Sequence, residues 1–336
     1  MTIARCGKNI KLEGIKMVKR EWLDEAVELS LAGKNAREIS EKLNVDYEKV
    51  RHAIKNWRRS HNCVRENHGQ NTKDVKTDIF ENKEPNLIKE KWKNNRIIRF
   101  GLMGDTQINS KYAQLTFLHD FYDRCAAEGI KVVYHTGDMD EGEEMRMGHK
   151  YECYTQGADD HVEEICRVYP KREGIVTKFI TGNHDASLYK RAGMDIGSAI
   201  ARRRDDMIYL GRDIADIELT PNCILRLQHP WDGTAYAISY KIQKMCDAMD
   251  SESKPHILAV GHYHKVDYIY YRDIHCFQTG CFQMASPFTL GKGISVYMGG
   301  WIVEIEVDEE GCIKRITPSY ISYKKGIKDD YKNWRY

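Results

Sequence analysis

Five short apolar runs in this 336-residue chain each end at side chains able to bind a metal ion. Residues 97–103 lead into Gly104-Asp105-Thr106-Gln107, and residues 131–135 into Gly137-Asp138. Residues 175–181 lead into Gly182-Asn183-His184-Asp185, residues 223–227 into His229, and residues 256–260 into Gly261-His262-Tyr263-His264. Runs of four to eight β-branched and apolar residues closed by glycine read as buried strands. Strands that all discharge carboxylate, amide or imidazole groups at their C-terminal ends gather those groups along one edge of a sheet, where α/β folds bind ligands.

Helical segments separate the early runs, at residues 112–128, 151–168 and 188–205. Beyond His264 the pattern changes to strands alone, at 266–271, 274–278, 294–297, 302–307 and 313–316, read as an antiparallel meander. Alternating strand and helix followed by strands implies an α/β fold of two packed sheets, a β-sandwich flanked by helices.

The first 62 residues have another character. Helices are expected over 20–32, over 36–43 with Asn35 as N-cap, and over 47–57 with Asp46 as cap. Helix, tight turn, helix over residues 36–57 resembles a helix-turn-helix DNA-binding domain, whose second helix reads a groove. In that helix Tyr47, Lys49, Arg51, His52, Lys55, Arg58 and Arg59 are the candidate DNA contacts. A small helical bundle that docks a protein is the alternative reading. Residues 63–95 are polar and without periodicity, which reads as a solvated linker. Charge follows the same division. Residues 1–95 hold 21 Lys and Arg against 15 Asp and Glu, a net +6, while residues 96–336 hold 31 against 35, a net −4. The domain reading is therefore 1–62, a linker 63–95, a main domain 96–324 and a basic, aromatic tail 325–336.

The blocks Gly104-Asp105, Gly137-Asp138, Gly182-Asn183-His184-Asp185, His229 and Gly261-His262-Tyr263-His264, in that order, resemble the five blocks of the calcineurin-like metallophosphoesterase superfamily. The resemblance implies a four-layer αββα fold and two divalent cations bridged by Asp138. It assigns Asp105 and His264 to the first cation, and Asn183, His229 and His262 to the second, with Gln107 a further candidate ligand of the first. It makes His184 the catalytic histidine that protonates the leaving oxygen or stabilises the developing charge, oriented by a carboxylate just after the bridging Asp, either Asp140 or Glu141. Where the family usually has Asp-x-His, this chain has Asp105-Thr106-Gln107. An amide oxygen at Gln107 favours Mn²⁺, with Fe²⁺, Mg²⁺ and Zn²⁺ also compatible with the set, and a water in its place is the alternative.

Within that family, the run from Asp138 to Glu144 has no arginine before Arg146 and reads as an acidic mouth suited to a singly charged diester rather than a dianionic monoester. The Asn-His-Asp block is similar to the nuclease and diesterase branches. Joined to a DNA-binding front, this gives a metal-dependent phosphodiesterase acting on DNA as the expected function. The two alternatives are a phosphoesterase acting on a small molecule or phosphoprotein, and a non-enzymatic DNA-binding regulator on a degenerate scaffold. Ten scattered cysteines without a Cys-x-x-Cys pair read as reduced thiols. No apolar run approaches the ~20 residues that cross a bilayer, and the charged N-terminus is unlike a signal peptide, so a cytoplasmic protein without membrane contact is expected.

Overall fold

The computed structural model describes residues 22–31, 34–60, 85–250 and 253–334. The chain divides into two compact units, residues 1–82 and 83–336.

In the first unit, α1 (Leu23–Leu31), α2 (Ala36–Leu43) and α3 (Tyr47–Ser60) pack around Ala26, Ile39, Val50 and Ile54. The Asn35 side chain accepts from the backbone of Arg37 and Glu38, and Glu38 returns a bond to Asn35 N, a reciprocal cap that starts α2. Asn44 in the left-handed region (φ 49°) stops it, and Asp46 accepts from Lys49 N to start α3. Both caps are those read from the sequence.

In the second unit two six-stranded sheets face each other. The first runs β12 (Ile313–Tyr323), β11 (Met298–Val307), β2 (Ile97–Met103), β3 (Val132–His135), β4 (Val176–Thr181) and β5 (Met207–Arg212). The second runs β1 (Asn86–Lys89), β6 (Ile214–Thr220), β7 (Cys223–Gln228), β8 (Ile257–Val260), β10 (Ile274–Thr279) and β9 (Val266–Tyr271). The period of two sorts β11 cleanly. Trp301, Val303, Ile305 and Val307 enter the core between the sheets with Phe100, Leu102, Leu225 and Phe277, while Ile302 faces the helices. On that outer face lie α4 (Leu115–Ala127), α5 (Ala158–Val168) and α7 (Ile196–Arg203), and α8 (Tyr240–Asp247) covers the other sheet through Ile242 and Cys246. The expected αββα sandwich is the fold.

Several local expectations differ from it. The strands after His264 do not form one meander: β9 and β10 pair in the second sheet, β11 and β12 in the first. Residues 294–297 are not a strand; Tyr297 N instead donates to His264 O, so this segment braces the histidine loop. The helix read over 188–205 is two, α6 (Ala186–Ala192) and α7, because Gly193 adopts φ 67° and Asp195 caps a new start. Residues 86–89, read as linker, are β1, held by parallel pairing with β6. The tail also belongs to the sandwich. The buried Asp330 carboxylate accepts from Thr116 N (2.7 Å) and Oγ1 (2.6 Å), and Tyr331 stacks on Tyr154.

Candidate active site

The parallel strands β2, β3 and β4 of one sheet and β7 and β8 of the other end on the same side of the molecule, and the loops that follow them are cross-tied. Asp105 N donates to Gly137 O (2.9 Å) and Gln107 N to Asp138 O (3.1 Å). The Asp105 carboxylate accepts from His262 N at 2.9 Å, joining the two sheets. Asp185 accepts from Asp140 N (2.9 Å) and Gly182 N (2.8 Å), and so fixes the loop after β3 to the loop after β4.

Five of the seven expected ligands and loop residues here adopt backbone angles that side chains seldom take: Asp105 (φ 50°), Gln107 (49°), Asp138 (54°), His262 (75°) and His264 (53°). Such strain is retained where the surroundings over-determine it, and it clusters at functional sites. For the histidine pair it has a direct geometric use. In a regular strand, residues two apart point to one face. With both histidines left-handed beyond the end of β8, His264 Nε2 comes to 3.4 Å from Asp105 Oδ1, while His262 groups with Asp138 and His229.

The convergence at His229 is the most informative contact. Its Nδ1 donates to Thr136 O (2.8 Å), so its Nε2 lies 3.1 Å from both Asp138 Oδ2 and Asn183 Oδ1 with an acceptor lone pair. Three acceptors facing one point repel unless a cation sits among them. In the absence of a metal ion that cation is a proton: burial alone would depress the His229 pKa, but the Asp138 carboxylate overrides it and raises it to about 9. Asp138 shifts the opposite way. Burial pushes its pKa up, but the neighbouring His229 and His184 carry it well below the usual carboxylate range. A backbone carbonyl holding the second ring nitrogen is how metal-binding histidines are commonly oriented.

Gln107 supplies a second indication. Its Nε2 donates to Asp138 Oδ2 (3.3 Å), but its Oε1 is buried with no partner. Buried amide oxygens are ordinarily satisfied, and an orphan beside the Asp138 carboxylate marks a place for an ion or water. The residues present thus fit divalent cations: carboxylates from Asp105 and Asp138, amides from Gln107 and Asn183, imidazoles from His229, His262 and His264.

His184 lies beside this set. Its backbone N donates to Asp138 Oδ1 (2.9 Å) and its Nδ1 to the backbone oxygen of Glu141 (2.5 Å), which leaves Nε2 free in the cavity it lines. The expected acidic partner is therefore corrected in kind. Glu141 orients His184 through its main chain, not its carboxylate, which accepts from His149 Nε2 (2.8 Å) and Gln283 Nε2 (2.5 Å). Asp140 is not the partner. Its carboxylate is gripped by His161 Nδ1 (2.8 Å) and Asn109 Nδ2 (2.7 Å), and this carboxylate outweighs burial to raise the His161 pKa. His149 and His161 are thus structural partners of the loop; nothing in their sequence spacing marked them.

The acidic run also differs from expectation. Glu143 is buried and paired with Arg191, and Glu144 lies 3.3 Å from the same guanidinium, so of the run only Asp138 and Glu141 reach the cavity. This cavity, of about 610 Å³, opens beside Asp138 and His184 and is lined by both signs of charge, Asp232 as well as Arg146 and Lys292, together with Trp231 and Phe288.

No protein-family model matches this sequence, and no curated protein does. Solved structures do resemble it. An archaeal phosphodiesterase covers 67% of this chain and 100% of its own at 12% identity, with a TM-score of 0.36. A Streptococcus pneumoniae protein described as a predicted phosphoesterase covers 68% of this chain and 98% of its own at 15% identity and TM-score 0.34. Wild-type Vps29 of Entamoeba histolytica, complexed with zinc, covers 67% and 99% at 14% identity and TM-score 0.32. At such identities and scores the function rests on this chain's own side chains.

In the first unit the expected DNA contacts are only partly described. Tyr47 is 42% exposed, and Lys49, Arg51 and His52 lie at the surface. Arg51 and His52 both approach Glu48, at 2.9 and 3.7 Å. Lys55, Arg58 and Arg59 lie on α3, and their side chains fall outside the described set. Among the described residues no helix is long and apolar enough to cross a membrane, and the eight described cysteines are free.

Proposed function

We propose that this chain is a metal-dependent phosphodiesterase with DNA as its substrate, held near it by the helical front unit. The observation that carries the catalytic part is that His229 Nε2 lies 3.1 Å from both Asp138 Oδ2 and Asn183 Oδ1, so that an imidazole, a carboxylate and an amide oxygen converge on the place of one cation. Divalent cations, when bound, supply Lewis acidity and a water-derived nucleophile at neutral pH. Asp138 lies between the two groups of ligands and would serve both, Asp105, Gln107 and His264 on one side, Asn183, His229 and His262 on the other.

The chain's own residues do the rest. Asp138 accepts from His184 N, so the histidine keeps station beside the phosphate's place. The Glu141 carbonyl holds the proton on His184 Nδ1. Once His184 is protonated at Nε2 as well, that nitrogen can give its proton to the leaving oxygen, a contribution typically worth about 10²- to 10⁴-fold in rate. The cavity beyond is larger than a phosphate needs, which favours a substituted phosphate. The basic sequence of α3, with Lys49, Arg51, Lys55, Arg58 and Arg59, supports a polyanion as the source of that diester. Mn²⁺ remains the favoured ion, since oxygen donors outnumber imidazoles four to three in the set.

A phosphomonoesterase is the second reading, favoured by Arg146 and Lys292 in the cavity lining, since two cations can grip a dianion. One experiment separates them. Wild type and His184→Ala are compared with Mn²⁺ on single- and double-stranded DNA, an aryl diester and an aryl monoester. Cleavage of DNA and diester, lost with His184, is the expected result; turnover of the monoester alone selects the second reading.

A further inference from the structure

The cavity beside the phosphate site has walls that the hydrolytic step does not use. Trp231 and Phe288 both line it and stand 36% and 40% exposed, although Lys190 Nζ lies over the Trp231 ring, 4.4 Å from its centre. Large aromatic surface in a concave, partly polar site marks a binding place rather than a core defect.

Both rings are fixed in relation to the ligands. The Trp231 indole donates to Asp213 Oδ1 (2.8 Å), and the next residue, Asp232, receives His262 Nε2 on its backbone oxygen (2.6 Å) and Tyr263 OH on its carboxylate (2.6 Å). Phe288 sits on α9 (Pro287–Gly291), whose start is set by Pro287 and by the reciprocal bonds of Ser286 and Thr289. The Arg146 guanidinium lies over the Phe288 ring, 4.3 Å from its centre, and is itself held by Glu152 at 2.6 Å. The cavity therefore offers π faces, a layered guanidinium and a second cation, Lys292, next to the phosphate's place. Its volume, about 610 Å³, falls in the range of sites for nucleotide-sized molecules, about 300–1,000 Å³.

Resting on the diesterase reading, we infer that this cavity is a nucleobase subsite: the base next to the scissile phosphate stacks on Phe288 and Arg146 in the pocket that Trp231 also bounds. Proteins take unpaired bases on aromatic rings and guanidinium planes in this way. A base within a duplex has both faces covered, so the substrate is a nucleoside phosphodiester with an unpaired base, either a single strand or a small dinucleotide.

The test compares wild type, Phe288→Ala, Phe288→Leu and Tyr270→Ala, the last an exposed tyrosine on β9 (61% exposed) serving as control. Substrates are a dithymidine phosphodiester, its analogue lacking both bases, a single-stranded oligonucleotide and its duplex. Wild type should show a KM at least about tenfold lower for the base-bearing dinucleotide than for the abasic one. Phe288→Ala and Phe288→Leu should raise the former roughly 5- to 100-fold, the range that loss of one stacked base produces, with kcat changed far less. Tyr270→Ala should match wild type. The same pattern on the single strand but not the dinucleotide assigns the subsite to a polymer; the pattern on both assigns it to either source. An unchanged KM ratio in both Phe288 variants overturns the subsite while diester turnover stands. Should wild type turn over no diester, the diesterase reading fails instead, and calorimetric binding of thymidine monophosphate decides the subsite: weaker binding in Phe288→Ala upholds it, equal binding overturns it.

Discussion

Whether His229 Nε2 faces a proton or a metal ion, the cation is shared with Asp138 and Asn183, and His184 stands one hydrogen bond away. His184 should therefore separate chemistry from binding. His184→Ala is expected to lower kcat about 10²- to 10⁴-fold and leave Mn²⁺ affinity, read by calorimetry, within a few-fold of wild type; a parallel collapse in metal affinity would make it a ligand instead. His135 behaves differently. It is fully buried, its Nδ1 accepts from Gly137 N, and burial lowers its pKa to about 4. The unfolded chain takes up that proton near the ordinary value of about 6.5, so the contribution to stability is full above pH 6.5 and fades as pH falls toward 4. The shift bounds the effect at roughly 3 kcal/mol. Urea unfolding at pH 7 and 4.5 should show wild type losing more stability than His135→Gln, and parallel losses would sink the assignment. At this scale the sequence was legible where a residue acts beside its own chain neighbours, as at Asn35, Asp46 and the His262-Tyr263-His264 loop. It was silent on Asp213, Thr136 and His149, whose partners are reached only through the fold, and it did not distinguish the carboxylate of Glu141 from its carbonyl.

Among the elements, the loops after β3 and β4 meet with no spare room. A Cβ on Gly182 would fall 2.4 Å from Asp138 Oδ1 and 2.6 Å from His229 Nε2. Gly182→Ala must therefore push a metal-binding side chain aside, although its backbone angles are ordinary. The expected outcome is a Mn²⁺ affinity reduced by at least about tenfold, the scale on which displaced supporting contacts act, together with about 1–3 kcal/mol of lost stability from overpacking. Thermal melting with and without Mn²⁺ checks both, and a variant that keeps the wild-type shift on Mn²⁺ addition would refute the argument. The same crowding explains which elements the sequence revealed. β8, buried at all four residues, is a continuous apolar run and was legible, as were β2 and β4, whose C-terminal halves are buried. β1 is not: it has one half-buried residue among four and exists only through pairing with β6. The segment 294–297 shows the converse, since apolar residues there brace a loop without joining a sheet.

For the whole molecule, the division of charge decides how a slightly acidic catalytic unit meets a polyanion. Residues 96–336 carry a net −4 and residues 1–95 a net +6, so attraction at a distance has to come from the front. Each phosphate neutralised by α3 contributes a slope of about −0.9 in log affinity against log salt. If four of its five Lys and Arg make such contacts, DNA affinity falls on the order of a hundredfold between 50 and 200 mM salt. Removing residues 1–62 should flatten that slope and raise KM on long DNA, while kcat/KM on an aryl diester, which has no polyanion to attract, stays near wild type. Fluorescence anisotropy across a salt series and steady-state kinetics on both substrates measure the two effects. An unchanged slope in the shortened chain would remove DNA from the role of the front unit, yet leave untouched the chemistry that His229, Asp138 and Asn183 support, because the two units are joined by sequence and each argument stands on its own residues.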